Sequence, residues 1–324
     1  DVAVGNPPYG ELRDLCIEEQ ERDKSSKYYE YAMGGRVNLF QFFYPLAQDI
    51  VKQDAIICLI VQNSLLAEDT GKKNRQFIFE NCQILRIDSF PERYDVKKRV
   101  FENVTMSVCV GLIKNTKLHD YPFVVNTWGE KQMLNKKSIQ VNKSTINNLY
   151  PLSYIIPTCS KVDLELLTKI KSRGNYILTV HAGEIDKTKY KSFFTQNTND
   201  VFCLGGSNIA PYYIHHSAKD VYLSQQVIDT LSRSNLQGEC RLVMQRITGV
   251  GAQKRFITAL LYEDNFMCIN SVNYILEAEL KLPVKFILAL LNSKLLTYYD
   301  NLTDTNANIT AEVIGSLPIA KTHP

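Results

Sequence analysis

The segment DVAVGNPPY at residues 1–9 joins a short apolar run to a turn that contains two consecutive prolines. The run from Asp1 to Gly5 is typical of a short β-strand. Proline fixes its backbone dihedral angle φ and removes one N–H donor, so Pro7 and Pro8 make a rigid turn with free carbonyl groups. The segment therefore predicts a strand whose end presents a rigid turn.

The side chains of this turn suit the chemistry of a planar molecule with an amino group. The side-chain oxygen of Asn6 and the carbonyl oxygen of Pro7 can both accept hydrogen bonds from one amino group, and Tyr9 offers a flat face for stacking. Such a site favours methyl transfer to the nitrogen, because it positions the nitrogen and stabilises the positive charge that grows there. We therefore predict that Asn6, Pro7, Pro8 and Tyr9 are catalytic, the alternative being an ordinary structural turn.

Helices and strands alternate after this turn. Helical spacing of apolar residues predicts helices at 38–52 and 72–81, and continuous apolar runs predict strands at 55–61, 84–90 and 106–113. Strands of this kind, separated by helices, indicate an α/β sheet that is covered on both faces.

The remainder of the chain has a different texture. Residues 119–150 are polar and are interpreted as a connecting segment. Residues 151–324 contain short strand-like runs separated by turns, a helix at 161–171 and a long apolar helix at 284–299. The sequence therefore predicts an α/β domain at 1–118 and an α+β domain at 151–324.

Composition narrows the possible classes of protein. The chain has 324 residues, a net charge of +3 and 22% charged residues, which excludes a protein that coats polyanions but not a local basic face. Its apolar runs are far shorter than the roughly 20 residues of a membrane span. The eight cysteines show no C-x-x-C pair, so we expect free thiols, a cytoplasmic protein and no metal site.

The motif resembles that of a known enzyme family. Asn6-Pro7-Pro8-Tyr9 resembles the catalytic motif of amino-methyltransferases that use S-adenosylmethionine, and residues 1–118 resemble adenine-specific DNA methyltransferases of restriction–modification systems. Three further landmarks of that family occur in order, at 38–43, 60–64 and 100–105. Residues 151–324 are similar to the TaqI-type specificity domain, which recognises the DNA target.

This resemblance implies roles for individual residues. Asn6 and Pro7 would hold the amino group of the target adenine, and Tyr9 and Phe101 would stack on the extruded base. Phe43 would contact the cofactor S-adenosylmethionine. In this branch of the family the main cofactor-binding loop precedes the motif. The chain is therefore interpreted as the C-terminal half of a Rossmann-like methyltransferase sheet with its target-recognition domain, a fragment that lacks the cofactor-binding half and is inactive alone.

A basic stretch in the second domain is the predicted DNA contact. Glutamine can read adenine through two hydrogen bonds, and arginine suits guanine or phosphate. The alternative is a basic pair of surface strands. The residues predicted to bind DNA are Arg241, Gln245, Arg246, Lys254 and Arg255.

Together these features predict a site-specific DNA adenine methyltransferase of a restriction–modification system. Its expected partners are double-stranded DNA, the missing N-terminal half of the same protein and an endonuclease, fused or separate, with no membrane involved. Two alternatives stay open. One is an amino-methyltransferase that acts on RNA or on a protein glutamine, and the other is a non-catalytic DNA-recognition subunit.

Overall fold

The chain divides into two compact units. The computed structural model describes residues 1–33, 36–151, 153–249, 253–303 and 308–320. Unit 1 comprises Asp1–Thr168 and Leu302–Asp304, and unit 2 comprises Lys169–Asn301 and Thr305–Pro324.

Unit 1 contains a mixed sheet of six strands. They are β1 (Val2–Gly5), β2 (Ile56–Gln62), β3 (Gln83–Phe90), β4 (Val108–Lys114), β5 (Pro122–Thr127) and β6 (Lys137–Asn142). Their order across the sheet is β1-β2-β4-β3-β5-β6. Strands β1, β2, β3 and β5 run parallel to one another, whereas β4 and β6 run antiparallel to them. The segments that follow β1, β2, β3 and β5 therefore leave the sheet at one edge, called here the carboxyl edge.

Helices accompany this sheet. They are α1 (Ile17–Lys24), α2 (Phe43–Ile50), α3 (Lys72–Asn81), α4 (Lys143–Leu149) and α5 (Lys161–Arg173). The predicted helix at 38–52 is a 3-10 helix at Leu39–Phe42 followed by α2. Phe42 and Ala47 are buried, as the helical spacing predicts, whereas Ile50 of the same predicted face is 71% exposed.

The prediction that residues 119–150 form a connecting segment is wrong. They contribute β5, β6 and α4, and unit 1 continues to Thr168 rather than ending at residue 118. Strand β6 looks polar in sequence because it lies at the border of the sheet and only one of its faces is covered. Ile139 and Val141 are buried, while their neighbours Ser138 and Gln140 are exposed.

Strand β1 lies at the opposite border of the sheet. Its side chains are unusually exposed for apolar residues, with Val2 at 66% and Val4 at 77%. An outermost strand with unpaired backbone N–H and C=O groups can pair with a strand of another chain.

Unit 2 is built from short strands. They are β7 (Gly174–Tyr176), β8 (His181–Ala182), β9 (Val201–Leu204), β10 (Ile209–Ala210), β11 (Tyr213–Ile214), β12 (Tyr222–Leu223), β13 (Arg241–Gln245), β14 (Thr258–Leu261), β15 (Phe266–Cys268), β16 (Val272–Leu276) and β17 (Ile319–Ala320). They form the sheets β14-β13-β16-β8, β12-β9-β15, β10-β11 and β17-β7. Phe202, Val243 and Tyr274 are buried in one core cluster of this unit.

The helices of unit 2 correct one further prediction. They are α6 (Gln225–Ile228), α7 (Val284–Leu291), α8 (Lys294–Thr303) and α9 (Ala311–Gly315). The long helix predicted at 284–299 is interrupted between α7 and α8. Asn292 donates its side-chain amide to the carbonyl oxygens of Leu288 and Thr258, and the Ser293 hydroxyl accepts from the Leu296 N–H at 3.2 Å. These bonds end one helix and begin the next.

Within the described ranges, no helix is long and apolar enough to cross a membrane. The same part of the chain holds no group of three His, Cys, Asp or Glu side chains that could bind a metal ion. All eight cysteines are free thiols.

Candidate active site at the end of strand β1

The Asn-Pro-Pro-Tyr turn lies at the carboxyl edge of the unit 1 sheet. Strand β1 pairs in parallel with β2, with Gly5 opposite Leu59. This register places the turn beside the end of β2. Pro7 is buried, whereas Asn6 and Pro8 are exposed. The turn is therefore anchored through one proline and open to solvent at Asn6.

Tyr9 folds back onto Asn6. Its hydroxyl oxygen lies 2.7 Å from Asn6 Oδ1 and 2.9 Å from the carbonyl oxygen of Ile60. The hydroxyl has a single proton, so these two acceptors share it. Burial, with a smaller contribution from Cys109, raises the pKa of Tyr9 to about 12. The hydroxyl therefore stays protonated at neutral pH and holds the Asn6 oxygen in place.

Two amide side chains fix the backbone of the turn. The carbonyl oxygen of Tyr9 accepts from Asn38 Nδ2 at 2.9 Å and from Gln62 Nε2 at 3.2 Å. Asn38 also begins the 3-10 helix, because its N–H donates to Gln41 Oε1 and its Oδ1 accepts from the Phe40 N–H. The sequence landmarks around 38–43 and 60–64 thus converge on the turn, and the roles of Asn38 and Gln62 went unpredicted.

Phe101 lies against Tyr9. The ring centroids are 6.0 Å apart and the ring planes are tilted by 54°. Two rings that sandwich a flat base need a separation of about 7 Å, since each stacked contact takes about 3.5 Å. The two predicted stacking residues are therefore adjacent, at a separation smaller than a base between them requires.

Arg99 holds the loop that carries Phe101, which spans residues 91–107. It is only 9% exposed, and its guanidinium donates to the carbonyl oxygens of Arg93 and Glu102 and to Thr105 Oγ1. The sequence alone does not predict this role of Arg99. A local sequence pattern does not show that a charged side chain stabilises the loop to which it belongs.

A polar cavity of about 250 Å³ lies beside the turn. Its lining includes Asn38 and Gln62, the residues that hold Tyr9. The other side chains are mostly polar: Glu11, Arg36, Ser64, Glu68, Thr70, Arg93, Thr105, Met106 and Ser107. Such a lining suits a ligand with several hydrogen-bonding groups.

Phe43 begins α2 and is half-buried. It is not among the residues that line the cavity. Its neighbours Phe42 and Tyr44 are buried in the core. The contact between Phe43 and a cofactor stays a prediction.

In unit 2, the prediction that Arg241 contacts DNA is wrong, because the side chain is fully buried. Its Nη1 forms an ion pair with Glu184, which is also buried. Its guanidinium carbon lies 4.4 Å from the ring centroid of Tyr274 and 4.9 Å from that of Phe266. The Arg241 side chain therefore has a structural role in the interior of unit 2.

Arg255 needs the same correction. It is 1% exposed, and its Nε lies 2.5 Å from Asp300 Oδ2, also within a buried side chain. Its Nη1 donates to the carbonyl oxygen of Gly249 at 2.9 Å. A guanidinium enclosed in this way cannot reach a DNA surface.

The other three predicted DNA contacts differ in exposure. Lys254 is exposed. Gln245 is half-buried and donates to the carbonyl oxygen of Ile209 at 2.7 Å. Arg246 is also half-buried and donates to Asn308 Oδ1 and to the carbonyl oxygen of Asn270. Their contacts with DNA stay predictions.

The sequence of unit 1 is similar to known methylases. Residues 1–96 match the family described as Eco57I restriction-modification methylase. The chain is 32% identical over 87 residues to the type II methyltransferase M.BanIII of Aneurinibacillus aneurinilyticus, and 31% identical over 121 residues to the type II restriction enzyme and methyltransferase RM.Eco57I of Escherichia coli. These matches cover 27% and 37% of this chain but only 14% and 11% of the two relatives.

A solved structure shares the fold over a longer range. The type IIL restriction-modification enzyme MmeI, in complex with DNA, superposes with a TM-score of 0.55 at 10% identity, over 97% of this chain and 45% of that one. At this identity the likeness concerns the fold alone. The predicted resemblance to methyltransferases of restriction–modification systems is therefore confirmed, with residues 1–96 matching the Eco57I methylase family.

Proposed function

We propose that this chain is part of a site-specific DNA methyltransferase of a restriction–modification system, which methylates the amino nitrogen of an adenine extruded from duplex DNA. The observation that carries the proposal is the arrangement of Asn6 and Tyr9 at the carboxyl edge, fixed by Asn38 and Gln62. Reactive groups collect at this edge in open α/β sheets.

In this proposal, Asn6 and Pro7 hold the reacting nitrogen. Asn6 Oδ1 and the Pro7 carbonyl oxygen accept the two hydrogen bonds of the amino group. Both acceptors carry partial negative charge, so they stabilise the positive charge that develops on the nitrogen during transfer. Tyr9 and Phe101 separate to stack on the two faces of the base, which must leave the double helix to reach the turn.

S-adenosylmethionine supplies, when bound, a methyl group attached to a positively charged sulfur. Asn6 and Pro7 would hold the amino nitrogen that receives this methyl group, and the methylated nitrogen would lose one proton to water. Phe43 offers a half-buried aromatic face for the cofactor. We propose that the main cofactor contacts come from the N-terminal half of the same protein.

Unit 2 is proposed to recognise the DNA target. Among its predicted contacts, Lys254 is exposed and suits a phosphate. We also propose an endonuclease partner, fused or separate, since one relative is described as a restriction enzyme and methyltransferase.

The test is the class of substrate that accepts the methyl group. The full-length protein is incubated with S-adenosylmethionine labelled on its methyl group and with duplex DNA, tRNA or a release factor. We expect label in duplex DNA alone, and its loss with Asn6→Ala. Label in tRNA or in the release factor indicates the other amino-methyltransferases, and DNA binding without transfer indicates a recognition subunit.

A further inference from the structure

A second loop lies at the carboxyl edge beside Phe101. It is the β5–β6 loop at residues 128–136, in the region that the sequence had suggested was a connecting segment. The backbone N–H of Lys131 donates to the carbonyl oxygen of Lys98 at 2.6 Å, and Lys131 Nζ lies 2.7 Å from Glu102 Oε1. Glu102 directly follows Phe101, so this loop packs against the segment that carries the stacking residue.

The first residue of the β5–β6 loop, Trp128, is fixed to the sheet by hydrogen bonds and by ring stacking. The backbone N–H of Trp128 donates to the carbonyl oxygen of Ser89, and its indole N–H donates to the buried Asp88 at 2.9 Å. The Trp128 ring also stacks on Phe90, with 16° between the planes. The loop therefore starts from a fixed point on the sheet.

The tip of the loop presents two apolar side chains to solvent. Met133 is 49% exposed and Leu134 is 57% exposed. Met133 and Asn135 have φ angles of 61° and 56°, a left-handed conformation that methionine rarely adopts. The Met133 N–H donates to the carbonyl oxygen of Glu130, which closes the turn. The left-handed conformation of Met133, next to the exposed Leu134 at the end of a held loop, points to a functional contact.

The surroundings of this tip are basic. Residues 91–107 and 128–137 together contain seven basic and four acidic side chains. Arg99 is buried and Lys131 pairs with Glu102, so five basic and three acidic side chains remain. This excess of positive charge suits the phosphates of a nucleic acid.

We propose that Met133 and Leu134 form a wedge that enters duplex DNA at the position vacated by the extruded base. This proposal rests on the proposed function. Proteins that distort DNA insert leucine and methionine between base pairs, where these side chains replace lost stacking. The wedge lies on the β5–β6 loop, which contacts the loop that carries Phe101. The β5–β6 loop therefore fills the gap that the base leaves in the duplex, while the loop with Phe101 receives the base.

The wedge is tested by comparing two duplexes. The target site is first mapped by single-molecule sequencing of DNA from a strain that expresses the full-length protein. One duplex carries the intact site, and the second carries a mismatch at the target base pair, which lowers the cost of extrusion. Leu134→Ala should slow methylation of the intact duplex by about tenfold and that of the mismatched duplex by less than about twofold. With 2-aminopurine at the target position, the fluorescence rise on binding should also shrink.

Two further variants serve as controls. Leu134→Met keeps an apolar wedge and should retain most of the wild-type rate on both duplexes. Ile50→Ala removes an aliphatic side chain that is 71% exposed at the end of α2, and should change neither rate. Equal rates for Leu134→Ala and wild type on the intact duplex, or equal losses on both duplexes, would overturn the wedge. A wild-type protein that methylates neither duplex would instead overturn the proposed function.

Discussion

The sequence predicts functional residues in two places: the turn that lies at the carboxyl edge of unit 1, and the basic stretch 241–255 of unit 2. The structure shows that these two groups of residues differ in their exposure to solvent. At the carboxyl edge, Asn6, Tyr9 and Phe101 lie together and remain partly open to solvent. In the basic stretch, Arg241 and Arg255 are buried in ion pairs.

The difference arises from the kind of signal used. The turn prediction depends on local geometry, because a strand followed by two prolines fixes where the next side chains lie. The prediction for the basic stretch depends on charge alone. Charge does not reveal exposure, since the partners Glu184 and Asp300 lie 57 and 45 residues away in sequence.

The largest expected effect concerns Arg255 and its exposed neighbour Lys254. Arg255→Ala removes the positive charge beside the buried Asp300 carboxylate, and should lower the free energy of unfolding by about 3–5 kcal/mol. Lys254→Ala is the matched control and should change it by less than about 0.5 kcal/mol. Urea unfolding of both variants measures the contrast. Equal stability of the two variants would mean that the Arg255 ion pair does not support the fold.

The next effect concerns catalysis at the carboxyl edge. Asn6→Ala should slow methyl transfer by about 10²–10³-fold, because one of the two proposed acceptors on the reacting nitrogen is lost. DNA affinity should stay unchanged, since in the proposed function Asn6 holds the base rather than the duplex. The exposed Asn148 on α4 supplies the control variant, Asn148→Ala. An Asn6→Ala protein that keeps a tenth of the wild-type rate contradicts the assignment.

A smaller effect is expected for the stacking residue. Phe101→Ala should weaken binding of duplexes with a mismatch at the target base by about 1–3 kcal/mol, the usual contribution of stacking on one base. Fluorescence anisotropy with such duplexes gives the affinities. If the variant binds them as tightly as the wild type does, Phe101 is not part of the base pocket.

The smallest expected effect concerns the pH dependence of methylation, which ionisation of Tyr9 should leave unchanged between pH 7 and pH 10. The raised pKa of Tyr9, about 12, keeps its hydroxyl protonated in the folded protein while pH rises from 7 to 10. Ionisation of Tyr9 therefore removes no activity in this range. The folding stability that is linked to its raised pKa is lost only as pH rises from about 10 through 12. The methylation profiles of Tyr9→Phe and wild type should therefore be parallel between pH 7 and pH 10. A fall that occurs only in the wild type would show that Tyr9 ionises there.

Much of the unit 1 sheet was predictable because its central strands are continuous apolar runs. Strands β2 and β3 and helix α3 lie within one residue of their predicted bounds. Strand β6 escaped prediction because a strand at the border of a sheet needs only two buried side chains, Ile139 and Val141.

The candidate site was predictable only in part. The adjacency of Tyr9 and Phe101 follows the family resemblance. The hydrogen bonds of Asn38 and Gln62 to Tyr9 depend on chain segments 29 and 53 residues away, and no local pattern contains that information. The same holds for the contact between Lys131 and Glu102.

The central claim is that an adenine amino group in DNA receives the methyl group at the Asn6 turn. The most direct measurement is mass spectrometry of nucleosides digested from DNA that the full-length protein has methylated. We expect deoxyadenosine with one additional methyl on its amino nitrogen, and none in DNA treated with the Asn6→Ala variant. Methylated deoxycytidine, or methylated deoxyadenosine at equal levels with the variant, would contradict the account.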